Sequence, residues 1–85
     1  MASPAIQGSV TLEGDALGGA YVRLLGPSGE FVSEQYTRDD GKFRFYVAPG
    51  TWTLDVRAAG AQPAIVAVPV VGEESDVDVA LRTQG

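Results

Sequence analysis

The sequence predicts an all-β protein, a single seven-stranded Greek-key β-sandwich. Three observations carry this. Eleven glycines and five prolines punctuate an 85-residue chain at short intervals, which breaks up any helical 3.6 period. Between them the apolar residues alternate with polar ones at period two, as in KFRFYV and TWTLDVRA, the mark of a strand with one buried face. The alternating runs are separated by short turn-forming segments at the spacing expected of a sandwich or barrel.

The runs, in chain order, are Ile6–Leu12, Ala20–Leu25, Glu30–Arg38, Lys42–Val47, Thr51–Ala58, Ala64–Val71 and Asp76–Arg82, joined by EGDALGG, GPSG, DDG, APG, AGAQP and GEES. Each joint is rich in glycine, proline, aspartate or serine, whose backbone preferences favour turns. Nothing between them is long enough to divide the chain, so residues 1–85 form one domain, with an ordered core of about 6–82 and frayed ends. Alternation sends Val22, Leu24, Phe43, Phe45, Trp52, Leu54, Val56, Val77 and Val79 inward. It sends Tyr21, Arg23, Arg44, Tyr46, Asp55 and Arg57 outward. The run AIVAVPVV has no alternation, which fits either burial on both faces or an outer face that meets a partner. Pro63 and Pro69 exclude it from a central place, because proline cannot donate to a ladder.

The turn RDDGK admits two closures. Pairing Thr37 with Lys42 turns Glu34 into the core without a partner. Pairing Arg38 with Lys42, with Gly41 in the left-handed region as a G1 bulge, sends Phe31, Ser33, Gln35 and Thr37 inward instead. A buried hydroxyl or amide costs less than a buried lone carboxylate, so the second closure is chosen. It gathers Glu34, Tyr36, Arg44 and Tyr46 on one outer face.

Composition removes several functions. A chain this short buries only ~60% of its unfolded surface, so it needs an efficient core, a partner, or both. A hydrophobic content of 45% suffices for a core and argues against disorder. There is no cysteine, hence no disulfide, thiol nucleophile or thiolate ligand, which fits a cytoplasmic location. There is no histidine, hence neither the commonest general base nor the commonest transition-metal ligand. A net charge of −5 with scattered basic residues disfavours nucleic acid. The start MASPAIQG has no signal-peptide pattern, and no apolar run is long enough to span a bilayer. Ser9, Ser28, Ser33 and Ser75 have no base to activate them. The acidic residues Glu73, Glu74, Asp76 and Asp78 could meet a hard cation through oxygen, but their order follows no calcium-loop pattern and reads first as a solvated turn and strand face. Asp39-Asp40-Gly41 reads as turn chemistry. We therefore expect no catalytic residue, no metal and no cofactor.

Three stretches in order, GSVTLEGDALGGAYVRLLG, TRDDGKFRFYVAPG and TWTLDVRAAG, resemble the carboxypeptidase regulatory-like domains, which have the transthyretin-like (prealbumin-like) sandwich. The likeness spans roughly Gly8 to Gly60 and implies that fold. GGAYVRLLGPSGEF, GKFRFYVAPGTWTL and SDVDVAL further resemble a small actinobacterial family of unknown function, encoded beside thiosulfate sulfurtransferase genes. That resemblance implies a sulfurtransferase as partner and a place near sulfur metabolism, but no activity. Relatives of the fold that hydrolyse 5-hydroxyisourate or bind iron depend on histidine, which is absent here. Relatives that form Lys–Asn crosslinks need asparagine, which is also absent.

Two functions from different classes stay open on the residues alone. One is a non-catalytic module that acts by protein contact or self-association through Tyr21, Arg23, Tyr36, Arg44 and Tyr46, since tyrosine and arginine are enriched at interface hot spots. The same five also read as scattered surface residues with a Glu34–Arg44 pair. The other function is a small-ligand or carbohydrate-binding module using exposed aromatics. Trp52 discriminates: its strand-mates on one face are aliphatic, which favours a core position, whereas an exposed indole would favour a sugar platform.

Overall fold

Alternation at this spacing produces strands β1 (Ala5–Leu12), β2 (Asp15–Ala16), β3 (Tyr21–Leu25), β4 (Phe31–Tyr36), β5 (Lys42–Tyr46), β6 (Gly50–Arg57), β7 (Ala64–Val70) and β8 (Glu74–Leu81) in a computed structural model that describes residues 4–84. Of the ends expected to fray outside 6–82, residues 1–3 and 85 lie outside the described residues, whereas Ala5 is buried in β1 and Thr83 bridges to Ala61. Seven strands match the expected runs. The extra one, β2, comes from the expected connection EGDALGG. There Leu12 pairs with Asp15 and Thr11 with Ala16, across a two-residue turn in which Glu13 (φ 50°) and Gly14 (φ 90°) both have positive φ. That is the condition of a type I′ hairpin. A glutamate in the first of these positions hides the turn from a reading that looks for asparagine or aspartate there.

The strands form two sheets. In the first, β1 is central. It pairs with β8 in parallel from Ala5↔Glu74 to Leu12↔Leu81, and on its other side with β5 antiparallel from Ala5↔Tyr46 to Ser9↔Lys42. The second sheet has the order β4-β3-β6-β7, antiparallel throughout. The inward halves of the alternations meet between the sheets. Ile6, Val10, Phe43, Phe45, Val79 and Leu81 come from one, and Val22, Leu24, Leu54, Val56, Val68 and Val70 from the other. Trp52 and Val77 pack at the margin of this core, partly buried.

The turn closes as expected: Gly41 has φ +79°, its N–H donates to Arg38 O (2.7 Å), and Arg38 N–H donates to Lys42 O (3.2 Å). Beyond the turn the chain departs from expectation. β4 and β5 do not continue as a paired hairpin; they enter different sheets. Thr37 is tied to the second sheet, its N–H donating to Ala20 O (2.9 Å) and its hydroxyl accepting from Ala20 N–H (2.9 Å). Gly41 is tied to the first, its carbonyl accepting from Val10 N–H (2.8 Å). Residues four apart are thus anchored to opposite layers, and the chain turns a corner between them. Gln35 bridges that corner, donating its amide to Arg44 O and accepting Arg44 N–H at 3.1 Å.

Phe31 is a second correction. A bulge between Leu24 and Leu25 pairs Leu24 with Ser33 but Leu25 with Phe31, so one extra residue, Val32, is inserted and Phe31 turns outward. β7 lies at an edge, as its prolines require. Its side chains do alternate: Val68 and Val70 are buried, while Ile65, Ala67 and Pro69 face out. Burial on both faces is therefore excluded. No helix among the described residues is long and apolar enough to cross a membrane.

Candidate contact surfaces

The outer face of the second sheet is built by the outward halves of β3, β4 and β6. Register sets Arg23 between Glu34 and Asp55, and Tyr21 between Tyr36 and Arg57. Asp55 is only 5% exposed because two guanidinium groups cover it. Arg57 reaches it through Nε (3.1 Å) and Nη2 (3.3 Å), and Arg23 through Nη1 at 3.6 Å. A desolvated carboxylate needs such partners. The same Arg23 guanidinium lies 5.5 Å from the Phe31 ring centroid, within cation–π range. Tyr21 and Tyr36 pack with centroids 5.3 Å apart, and the Tyr21 hydroxyl donates to Glu34 Oε1 at 2.5 Å. The result is a connected band of aromatic and guanidinium planes, each held by a neighbour and so already ordered before any partner arrives.

The Glu34 carboxylate, by accepting that hydrogen bond, holds the Tyr21 phenol above its ordinary 10.0. Ionisation would break the bond and set two negative oxygens side by side. The stabilisation is fully present below the unfolded phenol's pKa and is lost as pH rises through the folded one. Glu34→Gln should therefore let Tyr21 titrate at lower pH, read from its ring resonances in a pH series. An unchanged Tyr21 titration would contradict the assigned bond.

The outer face of the first sheet has a different chemistry. Arg44 Nη2 donates to Gln7 Oε1 (2.6 Å) and Glu74 Oε1 (2.8 Å). Gln7 donates onward to Asp76 (2.8 Å), and Ser9 donates to Asp78 (3.1 Å). These rows line an open groove of about 560 Å³ that also touches Lys42, Gln35 and Tyr36. Arg44 also lies 5.6 Å from the Tyr46 ring centroid. Arg44 of β5 is thus met by Glu74 of β8 across β1, while the neutral Gln7 and Ser9 of β1 donate to Asp76 and Asp78. Exposed pairs of this kind are worth ~0.2–1 kcal/mol each. The acidic residues that suggested a cation are distributed along these rows, and no three acidic groups stand together as a cation site among the described residues. Asp40 serves the turn, its carboxylate accepting Lys42 N–H at 3.0 Å.

The five residues expected to share one surface are therefore divided. Tyr21, Arg23 and Tyr36 lie on the second sheet; Arg44 and Tyr46 lie on the first, because β4 and β5 part at the corner. The expected Glu34–Arg44 pair does not form: Glu34 holds Tyr21, and Arg44 holds Glu74. Arg23 is not a free solvent-facing cation, since it covers Asp55. Phe31 belongs to the second-sheet surface and was not expected there; Asp55 points outward as expected, but its near-burial beneath two guanidinium groups was not foreseen. That burial could have been found from the cross-strand place of Asp55 beside Arg23; Phe31 depends on a bulge that leaves no compositional mark. Trp52 is partly buried at the core margin, with its indole N–H donating to Ala48 O at 2.8 Å, so it is neither the fully buried core residue expected nor a fully exposed platform.

Fold and surfaces together define a small all-β sandwich of the transthyretin-like, immunoglobulin-like class. The chain belongs to the family described as protein of unknown function (DUF1416), whose pattern matches residues 2–81. Similar proteins include the uncharacterized proteins Rv0814c and Rv3118 of Mycobacterium tuberculosis, each 43% identical over 67 residues, which is 79% of this chain and 67% of theirs. Among solved structures, the Bacillus anthracis TIE protein is similar in fold, with a TM-score of 0.82 and 16% identity over 96% of this chain and 17% of that one. So is hydroxyquinol 1,2-dioxygenase from Pseudomonas putida, with a TM-score of 0.77 and 10% identity over 98% of this chain and 57% of the other. This chain spans less than two thirds of either, and at such identities the likeness is one of fold.

Proposed function

We propose that the domain acts without catalysis, as a protein-contact module that presents the outer face of its second sheet. The observation that carries this is the band Phe31–Arg23–Asp55–Arg57 beside Tyr21 and Tyr36. Tyrosine and arginine are the residues that dominate interface energetics, and here their planes are fixed by a nearly buried carboxylate and by ring packing. Tyr36 is 65% and Phe31 53% exposed, so both are free to enter a partner's pocket. On a chain of net charge −5, the band balances Arg23 and Arg57 against Asp55 and Glu34, so its contact would rest on aromatic and guanidinium area without the repulsion that the rest of the acidic surface exerts. A sulfurtransferase partner, and with it a role accessory to sulfur metabolism, is part of this proposal and rests on family resemblance. The carbohydrate reading draws no support from Trp52.

The test compares affinity capture by the native chain with capture by Phe31→Ser/Tyr36→Ala. Both side chains are exposed, so the variant should fold. Loss of two hot spots should weaken association by ~2 kcal/mol or more, about thirtyfold. Tyr46→Ala, on the other face, should capture as the native chain does. Equal capture by a folded Phe31→Ser/Tyr36→Ala variant would reject the assigned surface.

A further inference from the structure

The second sheet ends in a strand whose free edge has an unusual boundary. Thr37 N–H donates to Ala20 O, so the even-numbered residues at this end of β3 turn their backbone groups toward β4 and the odd-numbered ones toward β6. Register carries this across the sheet. Asp55 and Thr53 of β6 face β3, Leu54 and Trp52 face β7, and in β7 Val66 and Val68 face β6 while Ile65, Ala67 and Pro69 face outward. Ser75 corroborates it by donating its hydroxyl to Pro69 O at 3.3 Å, from outside the ladder. Pro69 has no N–H and its carbonyl is met by Ser75. Pro63, before the strand, has no N–H either. What remains at the edge is the N–H and C=O of Ile65 and of Ala67.

We propose that β7 is the seam of a two-fold homodimer, in which the second sheets of two copies join edge to edge. Antiparallel pairing of Ile65 with Ala67 of the second copy, and of Ala67 with Ile65, makes four hydrogen bonds and uses every free group of both windows. Pairing Ile65 with Ile65 sets Ala67 against Pro63, and pairing Ala67 with Ala67 sets Ile65 against Pro69; each shift loses donors. The prolines stand three residues either side of Val66 in PAIVAVP, so they frame one register centred on that residue. Val66 then meets its copy on the two-fold axis, and Ile65, 72% exposed, covers Ala67 of the second copy.

Charge selects the same strand. Each of the other edge strands carries ionised side chains: Glu34 on β4, Lys42 and Arg44 on β5, Asp76 and Asp78 on β8. Such charges discourage edge pairing. β7 has none, although each copy carries a net −5. An uncharged seam between two acidic bodies loses only their mutual repulsion when salt is added, so this dimer should tighten with salt. A strand seam is smaller than the ~800 Å² per partner of a standard interface, so the association is weak and must be read across a wide concentration range. This inference goes beyond the contact role above, which uses the outer face of β3, β4 and β6 and not the backbone edge of β7.

Sedimentation equilibrium of the native chain, from low micromolar to millimolar, tests it. The average mass should rise toward twice that of the chain, and further at high salt. Ala67→Pro removes an N–H that faces away from β6, as Pro69 already does, and should leave a folded monomer across the range. Ile65→Lys changes an exposed side chain and should weaken the dimer at least tenfold; it decides the matter if Ala67→Pro does not fold. A native chain that stays monomeric at millimolar concentration, a dimer that salt dissociates, or a dimer unchanged in the folded variants would overturn the proposal. Phe31→Ser/Tyr36→Ala should dimerise normally, which separates this seam from the contact face.

Discussion

Alanine at Gly8 is expected to destabilise the domain severely. Gly8 lies in the middle of β1, paired with Phe43 on one side and Val77 on the other. A Cβ there would stand 1.7 Å from the Val77 carbonyl oxygen and 2.7 Å from its carbon. The obstacle is backbone, so no rotamer change relieves it, and β8 must separate from β1. That would open the parallel ladder and expose Val79 and Leu81. Ordinary overpacking costs ~1–3 kcal/mol. We expect ~3 kcal/mol or more here, against a total of ~4–13 kcal/mol for a domain of this length. Gly72, with no atom near its missing Cβ, is the control; its alanine variant should stay within ~0.5 kcal/mol of the native chain. Denaturant midpoints of the two variants check this. A Gly8→Ala midpoint equal to that of Gly72→Ala would contradict the close approach of β1 and β8.

Phe45→Ala carries the second large effect. Phe45 is buried, sits opposite Ile6 in register, and packs its ring 6.1 Å from that of Phe43. Its removal leaves a void between the sheets that neighbours on two strands cannot close, at a cost of ~3–5 kcal/mol. Chemical denaturation should show a midpoint lowered by a large fraction of the native value. A midpoint that does not move would mean that Phe45 lies outside the core.

The core was legible because inward positions combine two signals, apolar chemistry and period two, as in Phe43-Arg44-Phe45. Gly41 was legible because turn chemistry is local. The corner after it was not. Thr37 is held by Ala20 and Gly41 by Val10, and partners that far away leave no trace in the residues beside the turn. The same long-range choice divided the expected surface between two sheets, leaving Arg44 and Tyr46 on the first and Tyr36 on the second, at the corner where it still borders the Arg44 groove. β7 was hidden for a different reason. Its exposed residues Ile65, Ala67 and Pro69 are as apolar as its inward ones, so composition carried no alternation even though the side chains alternate. Phe31 was misplaced because a bulge inserts one residue without any change in residue type.

The tyrosines make the proposed contact face directly measurable. The chain has three, two on that face and one on the opposite sheet. With ring-labelled tyrosine, NMR of the chain bound to its captured partner reads the faces separately. A contact through the second sheet predicts that the Tyr36 and Tyr21 signals shift or broaden while Tyr46 keeps its position. A shift at Tyr46 with Tyr36 and Tyr21 unmoved would contradict it.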